Sequence, residues 1–193
     1  MLGEGWGEGS GGDPAARGAG VAVDWHSVLL YLVRHADAGD RDVHLWPDDR
    51  ERPLTPKGRQ RLEEAAPALR RIAADVDVVL SSNLVRAWQT AQIASKKGGW
   101  PAPVECSALE PAGTSVEVVN ALSPYLNSTG IALVGHEPNL SLLASHLVTN
   151  NEMVTPFQFA KGGMACIAFG EAPRAGAGRL RWFLSPKLAR ALA

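Results

Sequence analysis

From Val28 to Val33 the chain reads VLLYLV, and this apolar run stops abruptly at Arg34-His35. A continuous apolar run of that length suits a strand buried on both faces. Ile131–Val134 (IALV) is a similar run, Val76–Leu80 contains a further strand, and a short one is expected near Val104–Cys106. Between them the apolar positions switch to helical spacing. Leu62, Ala65, Ala66, Leu69 and Ile72 repeat behind Thr55-Pro56, a capping residue followed by a proline suited to the first helical position. Pro67 predicts a kink or break in that helix. Leu84–Ser95 predicts a helix that stops before Gly98-Gly99, with Ser81-Ser82 as a capping pair ahead of it, and Ser115–Leu126 predicts another. The segment NLSLLASHL, opening near Pro138, is apolar on most sides and reads as a buried helix. Met164–Phe169 and Arg179–Leu184 predict strands of a hairpin joined by PRAGAG.

Strands that alternate with helices predict an α/β fold, a three-layer α/β/α sandwich around a mostly parallel sheet. Ligands in such sheets sit beyond the carboxyl ends of the strands. Residues 25–193 are expected to form one domain. Residues 1–24, rich in glycine, read as a disordered tail in which Trp6 is the only sticky feature.

Composition narrows the chemistry. The 193 residues are 46% hydrophobic and 20% charged, an ordinary globular balance. The formal net charge of −1 gives no global field for nucleic acid or an acidic membrane, so an anion would need a local cluster of cations. The two cysteines, Cys106 and Cys166, stand far apart and outside any CxxC pattern. They fit small apolar core residues in a reducing cytoplasm rather than a disulfide scaffold or a zinc site. No run approaches the roughly 20 apolar residues of a membrane span.

Three strand ends carry the candidate chemistry. The first strand ends in Arg34-His35, the second leads into SSNLVRAWQTA with Arg86, and the third ends in Gly135-His136. Singly, each has an ordinary reading as an ion-pairing arginine or a structural histidine. Jointly, on neighbouring parallel strands, they would gather two imidazoles and two guanidiniums beside helix N-termini, an anion trap on a nearly neutral chain.

These residues resemble the histidine phosphatase (phosphoglycerate-mutase-like) superfamily. The resemblance covers roughly Val28 to Leu184. Its blocks stand here as Arg34-His35-Ala36, Leu54-Thr55-Pro56-Lys57-Gly58-Arg59-Gln60, Ser81–Ala91, and Gly135-His136. It implies a metal-independent phosphatase with no cofactor. His35 would be the nucleophile forming a phosphohistidine intermediate, with Arg34, Arg86 and His136 holding the phosphoryl oxygens. A neutral imidazole is needed for attack, and adjacent arginines disfavour its protonated form.

Relatives acting on alkyl phosphates use a carboxylic acid to protonate the leaving oxygen, and Glu110 is the candidate, ahead of Asp37. Glu137 would pair with a neighbouring arginine. Only about 23 residues separate Ala112 from Gly135, too few for a large lid, which predicts a shallow, open pocket. The compact length, the RHADA opening and the RPLTPKG block look most like bacterial phosphohistidine phosphatases of the SixA type. The expected substrate is therefore phosphohistidine on a protein. Alternatives are a small phosphomonoester (a sugar or nucleotide phosphate) and, from another class, a phosphate-binding module without turnover. Nucleic acid and membrane are not expected partners. The loop Asp40–Arg52 is expected to rim the pocket, with His44 and Trp46 as possible contacts and Lys57 and Arg59 adding positive potential. His146 reads as structural, and His26 has no role.

Overall fold

The computed structural model describes residues 28–193; the expected tail with Trp6, and His26, lie outside the described residues. Among the described residues the strands are β1 (Val28–Arg34), β2 (Val78–Ser81), β3 (Val104–Glu105), β4 (Gly130–Gly135), β5 (Met164–Phe169) and β6 (Arg179–Leu184). The helices are α1 (Pro56–Ala65), α2 (Leu69–Ile72), α3 (Val85–Gly98), α4 (Ser115–Ala121), α5 (Asn139–Thr149) and α6 (Pro186–Ala191). No described helix is long and apolar enough to cross a membrane.

The strands form one sheet in the order β3-β2-β4-β1-β5-β6. The pairs β2–β3, β2–β4 and β1–β4 are parallel, while β5 runs antiparallel to both β1 and β6. The sheet is thus mostly parallel, with a hairpin closing one side, as the sequence predicts. Alternate residues of β1 serve opposite faces. Leu30 and Leu32 pack with Val118 of α4 and with Leu140, Leu143 and Leu147 of α5. Tyr31 and Val33 pack with Leu69 of α2 and with Ala87, Ala91 and Ala94 of α3. Two apolar faces with helices against each give the three layers. Both cysteines are free and buried.

Local chemistry sets the helix limits. Thr55 caps α1 by accepting from the Gly58 N–H, with Pro56 in the first turn. The break expected at Pro67 is a 3-10 turn at Ala66–Ala68 that separates α1 from α2. The helix expected to stop at Ser95 runs on to Gly98, ended by left-handed Gly99 (φ 81°), whose N–H bonds to Ala94. The helix expected to reach Leu126 ends at Ala121 and continues as a 3-10 turn at Ser123–Tyr125, because Pro124 has no N–H for another α-helical turn. Ser81 and Ser82 do not cap α3. Its N-cap is Leu84, without a side-chain cap.

Gly58 matters by lack of bulk. A Cβ there would lie 2.1 Å from the Asp37 carbonyl oxygen. That carbonyl accepts from the Thr55 N–H at 2.9 Å. The start of α1 is thereby held against the segment that follows β1.

Candidate active site

The register of the parallel strands builds the site. Arg34 pairs with Gly135 across β1 and β4, so the next residues, His35 and His136, leave the sheet side by side. Their ring centroids are 5.1 Å apart and tilted by 54°. Ser81 pairs with Val134 across β2 and β4, which brings Ser82 alongside. The Ser82 N–H then donates to the Val134 carbonyl at 3.0 Å. Backbone hydrogen bonds fix the nucleophile candidate on both sides: the His35 N–H donates to Gly135 O at 3.1 Å, and the Gly162 N–H donates to His35 O at 3.0 Å.

The partner of His35 defines its tautomer, and that of His136 allows either. His35 Nδ1 lies 2.7 Å from the Ala36 carbonyl oxygen. A carbonyl only accepts, so Nδ1 carries the proton and Nε2 keeps its lone pair. His136 Nε2 lies 2.9 Å from Ser82 Oγ. That hydroxyl already accepts from the Leu84 N–H at 3.3 Å. A hydroxyl keeps a second lone pair, so it can donate to or accept from His136 Nε2; the donating arrangement puts the ring N–H at Nδ1.

Both imidazoles are held neutral. His35 is 8% exposed and His136 2% exposed. Burial is the main reason that the His35 pKa falls to about 4, helped by the charges of Arg86, Arg34 and Arg52. Burial likewise takes His136 to about 3, helped by His35 and Arg86. The sequence points to the arginines as the cause; desolvation proves the larger effect.

The arginines are anchored by part of each fork. Arg34 Nη1 donates to the Phe159 carbonyl at 2.6 Å. Arg86, 4% exposed, donates from Nη1 to Asp49 O at 2.7 Å, and its Nη2 lies 3.1 Å from Asp49 Oδ2. Among the described residues, the buried side-chain nitrogens and oxygens without a hydrogen-bond partner are Arg34 Nε, Arg86 Nε and His136 Nδ1. A buried unpaired donor is costly. Here all three belong to residues beside His35, and an oxyanion is the chemistry that satisfies them together.

The structure brings His35, His136, Arg34 and Arg86 to one edge and sets Glu110 at the rim. The 3-10 turn Ser107–Leu109, following β3, delivers Glu110 there. Its carboxylate is paired with Arg50, with Nη1 to Oε2 at 2.7 Å. Arg50 also donates to Asn83 Oδ1 at 2.7 Å. Asp37 instead pairs with Lys161 at 2.7 Å. Glu137 finds no arginine: it accepts from the Ser141 hydroxyl at 2.7 Å and the Phe159 N–H at 3.3 Å. It fixes the carbonyl-bearing residue that anchors Arg34.

The loop between Asp37 and Pro53 does form a rim, through residues that sequence reasoning passed over. Asp49 sits between Arg86 and Arg52, accepting from Arg52 Nε at 2.8 Å. Burial works against the Asp49 charge, yet the Arg52 hydrogen bond and both guanidiniums hold its carboxyl below the usual range. Arg52 is itself buried and donates to Ala38 O and Gly39 O. His44 is exposed and Trp46 half-buried, in a turn whose Asp42 carboxylate accepts from the His44 and Leu45 N–H groups. Lys57 and Arg59 are exposed, and His146 is half-buried on α5. Ser82 is visible in the sequence as part of the block holding Arg86, but nothing in the spacing marks Asp49 or Arg52. Among the described residues, no group of three or more His, Cys, Asp or Glu could hold a metal ion.

Comparison with known proteins agrees with this geometry. The family model of the histidine phosphatase superfamily (branch 1) matches residues 30–109. An uncharacterized protein of Picosynechococcus sp. is 34% identical over 113 residues, 58% of this chain and 67% of the relative. The structure of the protein histidine phosphatase SixA complexed with tungstate superposes with a TM-score of 0.72 at 24% identity, covering 83% of this chain and 99% of that one. A SixA-type structure from Nakamurella multipartitia gives 0.67 at 25% identity, over 83% and 96% of the two chains. A mycobacterial glucosyl-3-phosphoglycerate phosphatase shares the fold, with a TM-score of 0.62 at 14% identity over 82% and 99%. Matched family blocks, a shared fold and a doubled histidine–arginine cluster at one sheet edge agree: the chain is a phosphatase of the histidine phosphatase superfamily.

Proposed function

We propose that this phosphatase removes phosphate from phosphohistidine on a protein, through a phosphorylated His35. The observation that carries the reading is the set of three unpartnered buried nitrogens, Arg34 Nε, Arg86 Nε and His136 Nδ1, beside an imidazole whose free nitrogen is Nε2. His35 Nε2 attacks phosphorus, the P–N bond to the substrate imidazole breaks, and that imidazole takes a proton as it leaves. Water then attacks the phosphorus on His35, releasing inorganic phosphate and restoring Nε2. Two displacements replace one harder one. The guanidiniums and the His136 N–H are fixed before the reaction and oppose the charge on the transferring group.

Phosphohistidine is favoured because its leaving group needs little help from an acid. Glu110 is engaged by Arg50, and only a short helix and a 3-10 turn lie between Gly113 and β4. The similarity to SixA in complex with tungstate, itself an oxyanion, supports the same reading. A second reading, a small phosphomonoester, draws on the position of Glu110, a carboxyl group at the rim that, once freed from Arg50 and protonated, could give its proton to the leaving alkoxide.

The test is to incubate the protein with phosphoramidate and map the acid-labile, alkali-stable phosphate. It is expected on His35 and absent from His35→Ala. Label elsewhere removes the role of His35. Hydrolysis of alkyl phosphates but of no phosphohistidine peptide replaces the first reading with the second.

A further inference from the structure

A second concentration of positive charge lies on the same sheet edge, on the other flank of β1. A groove of about 410 Å³ is lined by Arg61, Lys161, Lys187 and Arg190, with Asp37 as its one carboxylate. The chain as a whole has a formal charge of −1. The cations come from separate elements: Arg61 from α1, Lys161 from the approach to β5, and Lys187 and Arg190 from α6. Lys161 pairs with Asp37; among the described residues, Arg61, Lys187 and Arg190 make no ion pair. Gathering like charges is unfavourable unless a partner of opposite sign uses them.

The groove adjoins the reactive imidazole. Its floor includes Ala36, the residue after His35, and Gly162, whose N–H donates to the His35 carbonyl. β6 lies two strands from β1 and ends on the same edge, which places α6 there. None of the four cations is buried: Arg61, Lys161 and Lys187 are exposed and Arg190 half-buried. That distribution differs from the phosphoryl site, where Arg86 is buried. Spread, exposed cations suit the rim contacts that steer and align a charged macromolecule.

We propose that this groove docks a carboxylate-rich segment of the phosphorylated protein and so aligns its phosphohistidine with His35. The inference rests on the phosphohistidine reading above. Docking supplies affinity and orientation, while the transfer itself remains with the histidines and arginines across β1.

Two arms test it. In the first, fluorescein-labelled, unphosphorylated peptides carrying either several Asp and Glu residues or Ser and Gln in their places are titrated by anisotropy. The acidic peptide should bind about 10-fold more tightly at about 50 mM NaCl, and the difference should vanish near 500 mM. It should also vanish in Arg61→Glu/Lys187→Glu/Arg190→Glu, while turnover of phosphoramidate stays at the wild-type rate. Equal binding of both peptides, or a preference that survives the triple reversal, overturns the proposal.

In the second arm the same peptides, phosphorylated on a central histidine, are hydrolysed. A lower KM for the acidic one, lost in the triple variant, supports docking of substrate; equal KM values overturn it. If phosphoramidate is hydrolysed and neither phosphopeptide is, the substrate reading fails, and with it the docking of substrate, even where the first arm detects binding. A preference for a sugar bisphosphate over its monophosphate, with the peptides indistinguishable, assigns the groove to a second phosphoryl group and likewise overturns the proposal.

Discussion

Ser82 Oγ lies 2.9 Å from His136 Nε2, and a hydroxyl that donates across that contact holds the ring with its N–H at Nδ1. Ser82→Ala leaves Nε2 buried without a partner and frees the ring to adopt the other tautomer, with no N–H at Nδ1. The expected result is a fall in kcat of about 10- to 100-fold, near the effect of losing one oriented donor, with KM little changed. Ser82→Thr restores most of the rate. Ring ¹⁵N shifts of His136 report the tautomer directly, and an unchanged Nδ1–H signal in Ser82→Ala contradicts the assignment.

Acidification should leave the site neutral longer than ordinary histidines allow. His35 and His136 titrate near 4 and 3 in the folded chain, against 6.5 unfolded. In a ¹⁵N titration from pH 7 to pH 5 both rings should stay in the neutral form. The sign for stability follows. Between pH 6.5 and 4 the unfolded chain binds more protons than the folded one, so stability falls as pH drops through that window. For His35 the full loss is on the order of 3 kcal/mol. A melting temperature that stays flat between pH 6.5 and 4 contradicts both assignments.

Asp49 already occupies part of the Arg86 fork, at 3.1 Å. Asp49→Asn removes a negative charge beside the oxyanion site while keeping an oxygen able to accept from Arg52 or Arg86. Inorganic phosphate should then bind more tightly, by about 10-fold, an energy of about 1.4 kcal/mol. Slower release of phosphate should lower kcat and KM together. Product-inhibition kinetics measure it, and a weaker phosphate affinity would show that Asp49 serves only to orient Arg86.

Glu110 and Arg50 should separate leaving groups. Glu110→Gln is expected to slow alkyl phosphates by about 10²–10⁴-fold, the usual worth of a general acid, with little effect on phosphohistidine. Arg50→Ala, at a side chain 51% exposed, should leave the melting temperature unchanged and speed alkyl phosphate hydrolysis by releasing Glu110. Equal losses on both substrate classes in Glu110→Gln would leave that carboxylate a purely structural role.

Gly58→Ala tests the packing behind His35. The added methyl would meet Asp37 O at 2.1 Å, so the Thr55–Asp37 backbone bond must break or α1 must shift. A loss of about 3 kcal/mol, at the upper end for overpacking, is expected in chemical denaturation.

The apolar runs told strand from helix because a sheet covered on both faces leaves no room for alternation, and VLLYLV, IALV and MACIAF are unmixed for that reason. They also placed His35 beside His136, since residues one step past neighbouring parallel strands must meet, with Arg34 closing β1 and Arg86 in the first turn of α3. The same logic says nothing about Asp49 and Arg52. They reach the site from a long polar loop whose path depends on side-chain hydrogen bonds to Arg86, Ala38 and Gly39. Glu137 misled for a related reason: its nearness to His136 in sequence suggested an arginine partner, whereas the chain turns it toward Ser141 and Phe159. The end of α4 was lost to a single proline.

β1 is flanked by paired strands on both sides, and the peptide bearing His35 is tied at its N–H and at its carbonyl. A residue gripped in that way has almost no backbone freedom. In the proposed two-step reaction the phosphoryl group would come to the imidazole and the water after it. The polar strap from Asp37 to Pro53 is held differently, with Asp49 and Arg50 bridging to other elements through side-chain contacts. Variation there would act on Arg86 and Glu110, the groups those side chains hold, and leave the backbone seat of His35 as it is.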